Sequence, residues 1–296
     1  MRLILTAVLL LVPLAFAAAD TPKVLEDADG LHDQGAYAEA VKLLLDSVPS
    51  ATGGKEQAEL YWRSARETLE LGDLAEKDAK PIAEVLALFS EGEAYADKAI
   101  AADPLNDLGY YWKSANIGRW GQVKGVLNAL FKAASMRDLL VKELSLNPGR
   151  SDPYYVLGEL YRELPGWPVS FGNIDAAVSL GRKAVDMRRA QVEQGVEKEL
   201  VYNFSTELAK SLYKRNWSAA ARAAGQKDKL SKLAAASAPL EKAAFYEATV
   251  TLMEQSDRDE AKSLVQWVVN ELDEAPSLTA PQKKDLMRAR DVLKGW

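Results

Sequence analysis

Glu159 and Glu163, one helical turn apart, are the residues whose type and spacing come nearest to catalytic equipment, because glycoside hydrolysis divides its work between two carboxyl groups. Acids at that spacing are also common on solvated helix surfaces, where they pair with bases a turn away. The rest of the sequence gives the pair no help. His32 is the one histidine and there is no cysteine, so a histidine-based triad, a zinc site of the usual kind and thiol chemistry all lack their parts. Gly118, Gly121 and Gly125 form a loose glycine-rich run without the lysine of a phosphate-binding loop. The expectation is a protein with no enzymatic activity, no cofactor and no metal, whose business is binding.

The elements that must position these residues are helices. Strand patterns are almost absent, and apolar residues recur at the spacing of a helix face throughout. Asp103-Pro104, Asn147-Pro148, Ala238-Pro239 and Ala275-Pro276 each close an amphipathic run, since proline forces the preceding residue out of helical conformation. In the stretch DPYYVLGELY, Tyr154, Leu157, Gly158 and Tyr161 occupy the large, leucine, glycine and tyrosine places in the first helix of a tetratricopeptide repeat. Residues 172–177 and Ala184 suit the turn and second helix of the same unit. Small residues there let helices approach to about 8 Å while large ones fill the gaps. Residues 34–40 and 256–261 resemble the same inter-helix turn, and first helices align near Glu59, Asp107, Ser151, Lys198 and Lys242. The predicted fold is all-α: one tetratricopeptide-like solenoid over residues 20–296, of about six helical hairpins. Irregular inter-helix insertions fall at 72–81, 118–125 and 164–171. The fifth unit is the least regular, its second helix (219–236) being rich in alanine.

Residues 1–19 read as a cleavable export signal: Arg2, an apolar run from Leu3 to Phe16, then small residues with cleavage after Ala17 or Ala19. That run is shorter than the about 20 residues of a membrane span, and no later segment approaches that length. Without cysteine there is no lipid anchor of the N-terminal cysteine type. A soluble protein of the periplasm or the cell exterior is therefore expected. With 48% hydrophobic and 27% charged residues the chain has the material for a core, and a net charge of −6 with interspersed signs lacks the basic stripe that nucleic acid requires.

Aligning the first helices places Tyr111, Tyr155, Tyr202 and Tyr246 one residue beyond the packing position, where a side chain points into the concave groove. With first helices roughly 10 Å apart, four rings span about 30 Å, enough to seat a peptide or a partner's tail. The alternative is that curvature closes the groove and the rings pack on one another or on a C-terminal helix, for which 283–296 is the filler. Arg119, Trp120, Asp152 and Arg162 stand beside the row, with Trp112, Asn116 and Glu159, and an arginine there would grip a carboxylate by two hydrogen bonds. In the insertion LPGWPVSF, two prolines stiffen a loop carrying Trp167 and Phe171; Trp167 either plugs its own repeat or meets a ligand. Three roles follow: a binding module for a protein or peptide partner, a small-ligand or glycan binder, and a structural part of an oligomer.

Two segments, GYYWKSANIGRWGQVKGVL and LNPGRSDPYYVLGELYRELPGWPVSFGN, resemble bacterial exported tetratricopeptide proteins akin to the T component of tripartite ATP-independent periplasmic (TRAP) transporters. The same stretch, from Gly109 to Arg189, is more distantly similar to the regulator of microtubule dynamics family. The resemblance implies an all-helical, non-enzymatic accessory that binds a partner protein, such as a solute-binding protein, or a small ligand through a pore or groove. T components are typically anchored through a lipidated cysteine and form trimers; the anchoring residue is missing from this sequence.

Overall fold

The computed structural model describes residues 21–296, so the expected export signal lies outside the described residues. Thirteen α-helices follow one another, with no strand among the described residues. The first eight pair as four hairpins in chain order: α1 (Thr21–Gln34) with α2 (Tyr37–Ser47), α3 (Gly54–Lys77) with α4 (Ile82–Ala102), α5 (Asp107–Lys124) with α6 (Leu130–Leu146), and α7 (Asp152–Glu163) with α8 (Ile174–Glu193). Then come α9 (Tyr202–Arg215), α10 (Ala219–Ala235), α11 (Pro239–Ala244), α12 (Asp257–Glu274) and α13 (Ala280–Lys294). First helices stack in order, α3 on α5, α5 on α7 and α7 on α9, while second helices lean on the following unit. This is the tetratricopeptide-like solenoid expected from the pattern.

Its punctuation is local chemistry. Helices α4, α6, α10 and α12 end ahead of the four prolines, and the residue preceding each proline has left the helical region, as at Asp103 (φ −143°, ψ 99°). Asn106, Asn173 and Ser256 open α5, α8 and α12 by accepting hydrogen bonds from backbone N–H groups of the first turn. Gly158 is where small meets small: a Cβ there would lie 3.3 Å from the Ala177 carbonyl oxygen and the Gly181 nitrogen, so α7 rests backbone to backbone on α8.

Two expectations are corrected. The runs 72–81 and 118–125 are mostly helix: α3 continues to Lys77 and α5 to Lys124. Gly72 serves packing instead of a turn, since a Cβ would come within 2.5 Å of the Phe89 ring of α4. The sixth hairpin does not start at Lys242, because α11 is six residues long and runs into a 3-10 turn, Tyr246–Thr249. Helix α10 packs on that turn, and the pairing partner of α9 is α12. Helix α13 then lies against α9 and α12 and reaches α1.

A buried charge network fixes the α10–α11 excursion. Four bases (Arg182, Arg215, Arg222, Lys229) meet four acids (Asp175, Glu247, Asp257, Glu260). At its centre Glu247, 2% exposed, accepts from Arg215 Nη1 (2.6 Å) and Arg182 Nε (2.9 Å) and pairs with Lys229. Arg215 Nε reaches Asp257 at 2.8 Å.

Glu143 of α6 has no such company. It is fully buried, and neither carboxyl oxygen has a hydrogen-bond partner. Burial pushes its pKa well above the usual carboxylate range and Asp152 adds to the effect. Glu143→Leu should therefore stabilise the fold by about 1–3 kcal/mol, the cost of an unsatisfied buried polar group. Urea denaturation at neutral pH checks this; an unchanged or lower midpoint would show that the carboxyl has a use in the native state.

Candidate functional site

The concave wall is built by helical spacing. Trp112, Ala115 and Arg119 of α5 face it at intervals of three and four, as do Tyr155 and Glu159 of α7 and Leu69 and Asp73 of α3. Across from them Lys284, Asp285 and Arg288, one face of α13, close the groove. Between lies a cavity of about 360 Å³. Its floor is apolar, with Ile117, Ala133, Met136, Val156 and Phe204. A second recess of about 870 Å³ runs along the other side of α13 and shares Tyr155, Glu159, Asn203 and Arg288 with the first.

The closure is ionic. Asp73 of α3 accepts from Arg119 Nε (2.6 Å) of the neighbouring helix and from Lys284 (2.6 Å) and Arg288 (3.4 Å) of α13. Lys284 also reaches Glu70 at 2.6 Å. Burial opposes ionisation of Asp73, but Lys284 and Arg119 hold its carboxyl below the usual range. Thus α13 ties the second hairpin to the last elements of the chain.

Of the four tyrosines, two share the cavity. Tyr111 is buried, edge-on to Trp112 with ring centres 4.9 Å apart. Tyr155 stacks on Phe204 at 4.6 Å, and its hydroxyl accepts a hydrogen bond from Asn203 Nδ2 at 2.7 Å. Tyr202 and Tyr246 correct the expected row. The groove face of α9 carries Asn203, Glu207 and Lys210, one residue out of phase with the alignment, and one residue is about 100° of helix rotation. Tyr202 accordingly turns to Trp267, 5.7 Å away. Tyr246 sits in the 3-10 turn and donates to Asp186 Oδ2 at 3.1 Å.

The remaining candidates divide similarly. Arg119 lines the cavity but is committed to Asp73 and Glu76. Asp152 lies at its margin, held by Arg188 at 2.9 Å. Arg162, 4% exposed, lines the second recess and bonds the Glu207 carboxylate, the Glu207 carbonyl and Glu163. Trp120 is packed against Phe131 and beneath Lys132, away from the cavity. Trp167 is 90% exposed and lines neither recess, while Phe171 folds back on Tyr161. Glu159 and Glu163 both line the cavity, Glu163 accepting from Arg162 at 2.8 Å while the carboxyl facing Glu159 is Glu207. Burial and Glu207 push Glu159 up to about 7; against the upward push of burial, Arg162 and Lys210 hold Glu207 down at about 2.

Asn203, Phe204, Asp285 and Arg288 are site residues that the sequence reading missed. The signal for the last two was Lys284 and Asp285 one turn before Arg288 on one face of the final helix, which read only as a filler. Among the described residues no group of three or more His, Asp or Glu is placed to hold a metal ion, and no helix is long and apolar enough to cross a membrane.

Fold and cavity together define a helical-repeat protein of tetratricopeptide type with a groove closed by its own last helix. Residues 24–167, α1 through α7 and just under half of the chain, are similar to the family described as regulator of microtubule dynamics protein 1-3. No curated protein matches the sequence significantly.

Proposed function

We propose that the chain is an exported, non-enzymatic helical-repeat module that binds a small ligand in the cavity beneath α13. The observation that carries this reading is the cavity itself: an apolar floor with a few polar groups converging on it, the usual make-up of a ligand site. Helix α13 lies where a peptide along a tyrosine row would lie, so the geometry favours a compact ligand over an extended chain. The resemblance to TRAP transporter T components supports an accessory role in solute handling, and the N-terminal sequence supports the periplasm or the exterior as its location.

A test uses Ala115→Phe, which projects a ring into the cavity from α5. Native mass spectrometry of wild-type protein from its native compartment should show a bound small molecule that the variant lacks, with both equally helical. Equal occupancy in the two, or none in either, removes the cavity reading.

One observation favours a second reading, a partner protein at the edge of the solenoid. Trp167 and Val169 stand exposed on the loop between α7 and α8, and Leu127 and Phe131 stand exposed at the α5–α6 connection. Exposed apolar groups gathered on connections of this kind mark interaction surfaces.

A further inference from the structure

This inference rests on the cavity being a ligand site and concerns the ligand's charge. Each arginine and lysine in the wall is already engaged by an acid, Asp73 serving three of them. Arg66 pairs with Asp29 and Glu67, Arg119 with Asp73 and Glu76, Lys132 with Glu93, Lys284 with Glu70 and Asp73, and Arg288 with Asp73. Two acids in the same wall are left over. Asp285, 9% exposed, accepts the backbone N–H of Asn203 at 3.1 Å and has no base within 4.0 Å among the described residues. Glu159 comes no nearer to a base than 3.7 Å, to an Arg162 already bonded to Glu207 and Glu163.

A third acceptor stands with them. Asn203 is 6% exposed, it lines the cavity, and its Oδ1 has no hydrogen-bond partner. Its Nδ2 is spent on Tyr155, whose ring stacks on Phe204 in the same wall. Leftover acceptors beside aromatic faces call for a donor-rich cation, since an ammonium supplies three N–H donors and is attracted to ring faces. An anion would find every base taken.

We propose that the cavity binds an organic amine, its ammonium donating to the acceptors of Glu159, Asn203 and Asp285 and its apolar body lying against Trp112, Met136 and Val156. The titration behaviour agrees. Burial pushes Asp285 up to about 6 against the pull of Arg288 and Lys284, with Glu70 of α3 adding to the push. Glu159, at about 7, is faced by Arg162 and Glu163 of its own helix and by Glu207 and Lys210 of α9. A bound ammonium favours the ionised form of both acids, so binding releases protons and tightens as pH rises through the range of about 6 to 7.

The test is calorimetric titration of the full chain with a matched set, 4-phenylbutylamine, 4-phenylbutanol and 4-phenylbutyrate. The amine should bind roughly tenfold or more tightly than the other two at slightly alkaline pH, the yield of one charge-assisted contact. Glu159→Gln and Asp285→Asn keep side-chain shape, and each should erode that preference about tenfold with helicity intact. If the alcohol or the acid binds as well as the amine, the charge assignment is overturned while the ligand site stands. If none of the three binds, and Ala115→Phe changes nothing, the site itself is overturned.

Discussion

Glu247→Ala should unfold the C-terminal third of the protein more readily than any other single truncation, with a loss of about 3–5 kcal/mol. The substitution removes the carboxylate to which Arg215, Arg182 and Lys229 all turn, and leaves the four buried bases of the network with three acids. Burial alone would raise the pKa of Glu247, yet the hydrogen bonds and charge of Arg215, with Arg182 and Lys229, hold it far below the carboxylate range, so it is ionised at any working pH. Arg215 and Lys229 are each 99% enclosed, being 1% exposed as side chains, so salt cannot stand in for the missing acid. Glu247→Gln keeps the volume and should cost on the order of 2 kcal/mol. Urea denaturation followed by circular dichroism measures both. A loss below about 1 kcal/mol for the alanine variant would mean that the network relaxes by admitting water.

The second large effect is a stability that falls as pH rises from mildly acidic to neutral. A carboxyl whose folded pKa lies above its unfolded one binds more protons in the native state, so the slope of stability against pH is negative between the two values. Asp285 spans from 3.8 to about 6 and Glu159 from 4.5 to about 7, both through burial first. Each therefore removes about 3 kcal/mol on passing that window, at 1.36 kcal/mol per pKa unit. Glu207 works the other way at lower pH: its contribution is present above 4.5 and is lost as pH falls toward about 2. The combined profile should peak at about pH 4 to 4.5, decline to about pH 7.5 and drop steeply below about pH 4. Melting temperature across that range checks it, and Glu159→Gln together with Asp285→Asn should flatten the decline between pH 5 and about 7.5. A profile flat over that interval in the wild type would show that both carboxyls are better solvated than their surroundings imply.

Much of the architecture was legible because it is written in short-range chemistry. Proline at 104, 148, 239 and 276 ends runs whatever the rest of the chain does, and the Tyr154, Leu157, Gly158, Tyr161 spacing identifies a helix that must pack closely on its neighbour. Glycine was the ambiguous letter. At 72 and 118 it reads as a turn, and only the approach of Phe89 or Met136 from another helix shows that it serves packing within a helix. The site was half legible: Tyr111, Tyr155, Asp152 and Arg119 line the cavity as first-helix residues should. Tyr202 was lost to a phase error of one residue, since α9 begins there and its buried face is set by Phe204, Leu208 and Leu212. The ionic links of Lys284 and Arg288 could not be read from spacing, because their partners Glu70 and Asp73 lie more than 200 positions away.

Stacked hairpins ordinarily behave as a spring, each coil answering only to the next, so that one end can fray while the other stays wound. Lys284 and Arg288 clasp that spring into a loop by gripping Asp73 near its far end. Heat or denaturant then meets a closed band, and loosening any coil strains the clasp. Whatever sits inside the loop is felt along its full circumference, so occupancy should sharpen the melting of every repeat together.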